Sequence, residues 1–191
     1  ANRWSLNRRR DRLHSTLVLG KIKVKYAVVT FGCRVNQADS VGIERQLRAL
    51  GGRVVSPEDA DLVVVNTCSV TATADHGARQ TIRRIARTNP GVRIVATGCY
   101  ATRAPLDFTK LPAVTDVVDN SDKHQLIACL KLEHENPTAQ RFGEGDGPCG
   151  KTIQPGTAGR TGYTLRVQTG CDETCSYCII PSTRGVGRSV P

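Results

Sequence analysis

Residues 62–68 read Leu62-Val63-Val64-Val65-Asn66-Thr67-Cys68, an apolar run that ends in two polar residues and a cysteine. A short continuous run of β-branched residues is typical of a strand buried on both faces, as the inner strands of a parallel sheet are. The stretch therefore predicts an interior strand over residues 62–66, with Cys68 just beyond its carboxyl end.

Two other segments repeat this arrangement of a strand followed by a cysteine. Residues 23–30 (KVKYAVVT) and 92–97 (VRIVAT) are rich in β-branched residues and are predicted to be strands. The first runs into Gly32-Cys33 and the second into Gly98-Cys99. Shorter strands are predicted over residues 53–56 and 114–118.

Helices are predicted between these strands. The first should begin near Asn36, Asp39 or Ser40, each of which is a good N-cap residue, and should end at Gly51-Gly52. A second helix is predicted over residues 73–88. Strands that alternate with helices predict an α/β fold, with an open, mostly parallel sheet and flanking helices.

Other parts of the chain carry weaker signals. A last helix is predicted over residues 122–132 with Cys129 as a buried core thiol, whereas residues 105–112 are predicted to be irregular. The second helix carries a row of arginines, at Arg79, Arg83 and Arg87. This row is either a solvated helix face or a contact with RNA phosphate.

The three strand-end cysteines are expected to converge. Cys33, Cys68 and Cys99 are separated by about one βαβ unit each, and the carboxyl ends of parallel strands share one edge of a sheet, where ligand sites form. Each of them alone could be a buried structural cysteine. Their common placement instead favours a metal cluster held by three thiolates, which would leave one iron without a protein ligand.

A second group of cysteines lies in the stretch Gly170-Cys171-Asp172-Glu173-Thr174-Cys175-Ser176-Tyr177-Cys178. Three thiolates in the spacing C-x3-C-x2-C can hold three corners of a cubane iron–sulfur cluster, again with an open iron. A structural zinc loop completed by a distant ligand is the alternative. A disulfide is disfavoured because the group is odd in number and no secretory signal precedes it.

Composition limits the other possibilities. The chain has 191 residues, eight cysteines and a formal net charge of +10, and residues 1–25 hold eight Lys or Arg against one Asp. This basic start is a solvated tail, an RNA-binding arm or an organellar transit peptide. No apolar run is long enough to span a membrane, so no membrane partner is expected. Cysteines without an export signal predict a reducing compartment, which is the cytoplasm here.

The C-x3-C-x2-C motif, with Tyr177 before its last cysteine, resembles the cluster-binding motif of the radical S-adenosylmethionine (SAM) enzymes. Together with the three strand-end cysteines, it makes the chain similar to the methylthiotransferases of that superfamily over about residues 26–191. The matching stretches are residues 31–40, 66–71, 97–101, 170–178, 179–185 and 188–191.

The resemblance implies a fold and a division of the chain. Residues 1–22 would be a basic tail, and residues 23–132 would be the methylthiotransferase amino-terminal domain. Residues 133–162, rich in glycine and proline and containing the unassigned Cys149, would be a linker. Residues 163–191 would supply the first strand and the cluster loop of a truncated radical SAM β/α barrel.

The resemblance also implies an activity. Cys33, Cys68 and Cys99 would ligate an auxiliary 4Fe-4S cluster, and Cys171, Cys175 and Cys178 the 4Fe-4S cluster that binds SAM. The enzyme would add a methylthio group at carbon 2 of a modified adenosine beside the anticodon of tRNA, using two SAM molecules and an electron donor of unknown identity. No other catalytic residue is assigned.

The substrate is suggested by a short stretch. Arg34-Val35-Asn36-Gln37 is similar to the branch that acts on N6-threonylcarbamoyladenosine. Branches that act on isopentenyladenosine in tRNA or on an aspartate of a ribosomal protein are alternatives, as is a non-enzymatic metal-binding module. Because the chain lacks methionine and stops soon after the motif, it is expected to be an inactive amino-terminal fragment.

Overall fold

The computed structural model describes residues 24–130 and 167–189. The first range contains a five-stranded sheet in the order β2-β1-β3-β4-β5, and every pair of neighbouring strands is parallel. The strands are β1 (Lys25–Thr30), β2 (Arg53–Val54), β3 (Leu62–Thr67), β4 (Arg93–Gly98) and β5 (Val114–Val118). The predicted α/β fold with an open parallel sheet is confirmed.

Helices cover both faces of this sheet. Helix α1 (Arg34–Ala49) places Ile43 and Leu47 against Leu62 and Val64 on one face. Helix α2 (Ala72–Thr88) packs on the other face. Its apolar side chains contact the apolar side chains that alternate strand residues direct to that face. Strand β3 is buried along its whole length, as its apolar run predicts.

Short elements complete the first range. They are α3 (Cys99–Arg103), α4 (Pro105–Thr109), a 3₁₀ turn (Lys123–Gln125) and α5 (Leu126–Cys129). In the second range, β6 (Gln168–Thr169) pairs antiparallel with β7 (Arg188–Ser189), and α6 (Ile180–Arg184) lies between them.

Several local predictions are wrong. Helix α1 begins after Cys33, and the three expected N-cap residues lie inside it with buried side chains. Residues 105–109 form a helix because Pro105 occupies the first turn, where its fixed φ is favourable and its missing N–H costs nothing. Cys129 is exposed because the final helix is short and turns Leu126 and Leu130 inward instead.

Some predictions lie outside the described residues. These are the basic tail over residues 1–22, the linker over residues 133–162 with Cys149, and all but the end of the strand predicted from residue 163. The domain boundaries therefore stay predictions. Within residues 24–130 and 167–189, no helix is long and apolar enough to cross a membrane.

Candidate metal centre

The carboxyl ends of β1, β3 and β4 lie side by side. Thr30 pairs with Asn66, and Asn66 pairs with Thr97 on its other side. Thr67 pairs with Gly98, so Cys68 and Cys99 leave neighbouring strands at the same level. Because Cys33 follows β1, all three strand-end cysteines lie at one edge of the sheet, as predicted.

Glycines bring the cysteine segments close together. Gly32 has φ +96°, and a Cβ at this position would lie 2.3 Å from Sγ of Cys68, so the turn before Cys33 rests directly on the second cysteine. Gly98 has φ +97°, and its Cβ would lie 2.2 Å from the carbonyl oxygen of Thr67. Only glycine allows the backbone to approach this closely in these conformations.

The three thiols differ in exposure. Cys68 and Cys99 are buried, Cys33 is exposed, and all three are free. Cys99 is the first residue of α3, and the side-chain amide of Asn120 donates a hydrogen bond to its sulfur at 3.6 Å. The centre is therefore open to solvent at Cys33 and enclosed at Cys99.

These residues suit an iron–sulfur cluster. Thiolates are its usual ligands, and the hydroxyl of Thr97, a buried donor two positions before Cys99, has no hydrogen-bond partner within the described residues. In the described ranges no three His, Cys, Asp or Glu side chains are grouped as ligands of a single metal ion. The strand register shows only that Cys33, Cys68 and Cys99 follow neighbouring strand ends, which is the arrangement that three thiolate ligands of one cluster would need.

The second cysteine group lies on the loop between β6 and α6. The N–H of Cys171 donates to the carbonyl of Gly185 at 3.0 Å, and the N–H of Cys178 donates to the carbonyl of Cys175 at 3.1 Å. Asp172 accepts a hydrogen bond from the N–H of Gly187 at 2.9 Å. The loop is thus closed on itself.

Its thiols face solvent more than those of the sheet edge. Cys175 is exposed, whereas Cys171 and Cys178 are half-buried. Tyr177 is 90% exposed, so this aromatic side chain is free for contact with a partner or ligand. The motif is therefore presented on a closed loop with its cysteines accessible.

A buried polar cluster lies beneath the sheet-edge cysteines. Its members are Asn36 and Asp39 from α1, Asn66 from β3, Lys123 from the 3₁₀ turn and Arg184 from α6. Lys123 Nζ lies 3.1 Å from Asp39 Oδ2 and donates to Asn66 Oδ1 at 3.1 Å. The Arg184 guanidinium lies 3.1 Å from the same Asp39 oxygen. One carboxylate thus faces two cations.

The cluster shifts the ionisation of its cations. Burial lowers the pKa of Lys123, although the Asp39 carboxylate acts to raise it. Burial also acts to lower the pKa of Arg184, but the charges of Asp39 and Cys99 outweigh it and the pKa is raised. The Asp39 carboxylate therefore stabilises the charged form of both cations.

Comparisons with known proteins identify relatives of this chain. Residues 25–119 match the family described as "Uncharacterized protein family UPF0004". The chain is 38% identical over 173 residues to the threonylcarbamoyladenosine tRNA methylthiotransferase MtaB of Aquifex aeolicus, covering 87% of this chain and 42% of that protein. The chain belongs to the methylthiotransferase family.

Other members of the family match at similar levels. The MtaB protein of Bacillus subtilis is 34% identical over 171 residues, which cover 84% of this chain and 36% of that protein. A tRNA-2-methylthio-N(6)-dimethylallyladenosine synthase of Hydrogenobaculum sp. is 30% identical over 174 residues, covering 87% of this chain and 40% of that protein. The chain thus spans about two fifths of the length of its curated relatives.

The six predicted ligands are placed in two groups, but the sequence reasoning missed the residues around them. Asn36 and Asp39 are recognisable only in hindsight, as polar residues on the inward side of an amphipathic helix. Lys123 and Arg184 carry no local signal, because charged residues in short elements are usually solvated. In this methylthiotransferase-family chain they are buried by pairing with one carboxylate.

The arginine row on α2 is divided in two. Arg83 and Arg87 are exposed, which agrees with a solvated face. Arg79 is half-buried, donates to the hydroxyl of Tyr100 and lies over its ring at 5.5 Å. Arg79 therefore supports the fold of α3.

An ion pair lies on the same side of α2. Burial raises the pKa of Asp75, although the Arg103 guanidinium, 2.5 Å away, acts to lower it.

Proposed function

We propose that this chain is the cluster-binding part of a tRNA methylthiotransferase that converts N6-threonylcarbamoyladenosine beside the anticodon to its 2-methylthio derivative. The observation that carries the proposal is the convergence of Cys33, Cys68 and Cys99 at one sheet edge, next to a segment that presents a second cysteine motif. Relatives at 34–38% identity carry the corresponding name.

The proposal assigns a group of ligands to each of two 4Fe-4S clusters. Cys33, Cys68 and Cys99 would hold the auxiliary cluster, and the remaining ligands would be Cys171, Cys175 and Cys178. When bound, the clusters and SAM supply the electron, the radical chemistry and the methyl group. The protein's part is to place the groups: the sheet edge fixes the first three thiols, and the loop between β6 and α6 presents the other three to solvent.

The remaining parts of the proposal concern partners. The substrate is tRNA, reduction requires an electron donor whose identity is unknown, and the site of action is the cytoplasm. The exposed positions of Cys175 and Tyr177 leave room for SAM and for the substrate at the second centre. The activity is proposed for the whole protein, since the match covers 42% of the Aquifex aeolicus relative.

Action on isopentenyladenosine is the second candidate, because relatives at 30–33% identity are named tRNA-2-methylthio-N(6)-dimethylallyladenosine synthases. Both nucleosides are adenosines modified at N6. The choice between them rests on identity, which reaches 38% for an MtaB relative.

Metal analysis tests the two-cluster assignment. Iron and acid-labile sulfide are measured after anaerobic reconstitution of the wild-type chain, of Cys33→Ala/Cys68→Ala/Cys99→Ala and of Cys171→Ala/Cys175→Ala/Cys178→Ala. We expect about eight irons in the wild type and about four in each triple variant, since three thiolates hold each cubane. Cys129→Ala is the matched control and should keep about eight, because this exposed thiol is not a proposed ligand.

Zinc in place of iron would contradict the proposal. A loss of iron in only one of the two triple variants would also contradict it. Either outcome would leave a metal-binding module of another kind.

A further inference from the structure

Arg184 joins the second cysteine segment to the first domain. It lies six positions after Cys178, yet its side chain is only 6% exposed and lies among residues of the sheet domain. Its guanidinium donates to Oδ1 of Asn36 at 2.7 Å and to Oδ2 of Asp39 at 3.1 Å. A guanidinium is rarely buried unless its charge is paired, so this contact specifies where α6 docks.

A second contact reinforces the first at the neighbouring residue. The side-chain amide of Asn120 donates to the carbonyl oxygen of Thr183 at 2.8 Å and also to the sulfur of Cys99 at 3.6 Å. One amide therefore contacts both the docked helix and a proposed cluster ligand. Thr183 directly precedes Arg184, so this amide links the docked helix to Cys99.

The charge beside Cys99 depends on this docking. Asp39 and Lys123 form a pair without net charge, and Arg184 adds one positive charge that is buried with them. An Fe–S cluster with thiolate ligands is anionic, and its reduction potential follows the charge and the hydrogen bonds around its sulfurs. Removal of the guanidinium would therefore make reduction of a cluster at Cys99 harder.

We propose that Arg184 is a positioning residue that docks the C-x3-C-x2-C loop at the sheet edge and sets the electrostatic environment of the centre at Cys99. The segment that carries the C-x3-C-x2-C motif thus places a positive charge near Cys99, a proposed ligand of the other centre. The docking stands on contacts of the protein alone, whereas the effect on a cluster rests on the proposed function.

Hydrogen exchange of the metal-free 191-residue chain tests the docking. The loop amides of Cys171, Cys178 and Gly185 are hydrogen-bonded within the segment and report its order. We expect faster exchange of these amides in Arg184→Gln, because the buried ion pair is lost, and intermediate exchange in Arg184→Lys. Arg188→Gln is the matched control, since this exposed arginine of the same segment should leave exchange unchanged. Equal exchange in Arg184→Gln and wild type would overturn the docking.

Reduction potential tests the electrostatic part. It is measured for the cluster at the sheet edge in a chain that carries Cys171→Ala/Cys175→Ala/Cys178→Ala, with and without each Arg184 variant. We expect a shift to more negative potential and an altered electron paramagnetic resonance signal in Arg184→Gln. Arg184→Lys keeps the positive charge and should restore most of the potential, which a merely structural role would not require.

The outcomes separate the two proposals. The same potential in the Gln and Lys variants would overturn the electrostatic role of Arg184. A chain that takes up no iron would contradict the proposed function, while the exchange of the metal-free chain would still decide the docking.

Discussion

Gly98 holds a backbone conformation that other residues avoid. Its φ of 97° and ψ of −174° fall in a region that is essentially restricted to glycine. A Cβ would also lie 2.6 Å from the N of Thr67 and 2.7 Å from Oδ1 of Asn66. The residue that precedes Cys99 is therefore fixed by its neighbours on β3.

Gly98→Ala should destabilise the fold and displace Cys99. We expect the free energy of unfolding to fall by about 1–3 kcal/mol from backbone strain alone. Urea denaturation followed by circular dichroism measures it. Gly91→Ala is the control, because a Cβ there meets nothing within 4 Å, and it should change stability little. Equal stability of the two variants would show that the β4 end can rearrange.

At the residue scale, the positions of the strand-end cysteines could be predicted from the sequence better than their surroundings. Cys33, Cys68 and Cys99 could be placed because a strand end followed by a cysteine is a local pattern. The buried state of Asp39 could not, because its burial depends on Lys123, 84 positions away. Cys129 was assigned to the core because cysteine usually packs as an apolar residue, whereas here the short α5 exposes it.

The turn after β5 shows how one carboxylate organises a short element. Oδ1 of Asp119 accepts hydrogen bonds from the N–H and the hydroxyl of Ser121, at 2.7 Å and 2.5 Å, and from the N–H of Asp122 at 3.2 Å. Burial acts to raise the pKa of Asp119, but these hydrogen bonds outweigh it and hold the pKa below its usual value. The turn leads directly to Lys123 in the buried cluster.

Asp119→Ala should therefore reduce stability in a pH-dependent way. A carboxylate whose pKa is lower in the folded state stabilises the protein above its unfolded pKa of about 3.9, and this contribution is lost as pH falls through the folded value. We expect a loss of about 1 kcal/mol near pH 7, typical of a lost side-chain cap, that shrinks below pH 4. Thermal unfolding from pH 7 to pH 3 measures it.

Asp122→Ala is the control for this turn. Asp122 precedes the 3₁₀ turn, but its side chain makes no capping hydrogen bond. Its substitution should have little effect at any pH in the range. A constant difference between Asp119→Ala and wild type from pH 7 to pH 3 would contradict the assigned role of the carboxylate.

The strands and helices of the sheet domain could be predicted because each has its own pattern of apolar residues and is bounded by turn residues. Helix α1 was predicted to begin too late because Asn36, Asp39 and Ser40 are good N-caps in isolation. In the fold, their side chains are used elsewhere: Ser40 accepts hydrogen bonds from Thr30 and Asn66, for example. Tertiary hydrogen bonds thus outweigh the local capping preference.

For the whole molecule, the arrangement of two cysteine groups at neighbouring positions follows from the parallel topology and from one docked segment. The topology could be predicted from alternating strands and helices. The docking of residues 167–189 could not, because it depends on contacts between residues 145 and 148 positions apart. No local pattern contains that information.

The substrate prediction belongs to this scale. In a strain of the source organism that lacks the gene, mass spectrometry of tRNA nucleosides should show loss of 2-methylthio-N6-threonylcarbamoyladenosine and accumulation of its precursor. The wild-type gene should restore the product, and a gene encoding Cys33→Ala should not, because one proposed ligand of the auxiliary cluster is removed. Loss of the isopentenyl derivative, or of a ribosomal-protein modification, would point to another branch of the family.

The docking by Arg184 also bears on how far apart in sequence two docked segments can lie. It joins residues 145 and 148 positions apart, and the entropic cost of bringing two chain positions together grows only with the logarithm of their separation. Each doubling adds only about 0.6 kcal/mol. A single well-paired guanidinium can therefore hold the two cysteine segments together across connections of very different length.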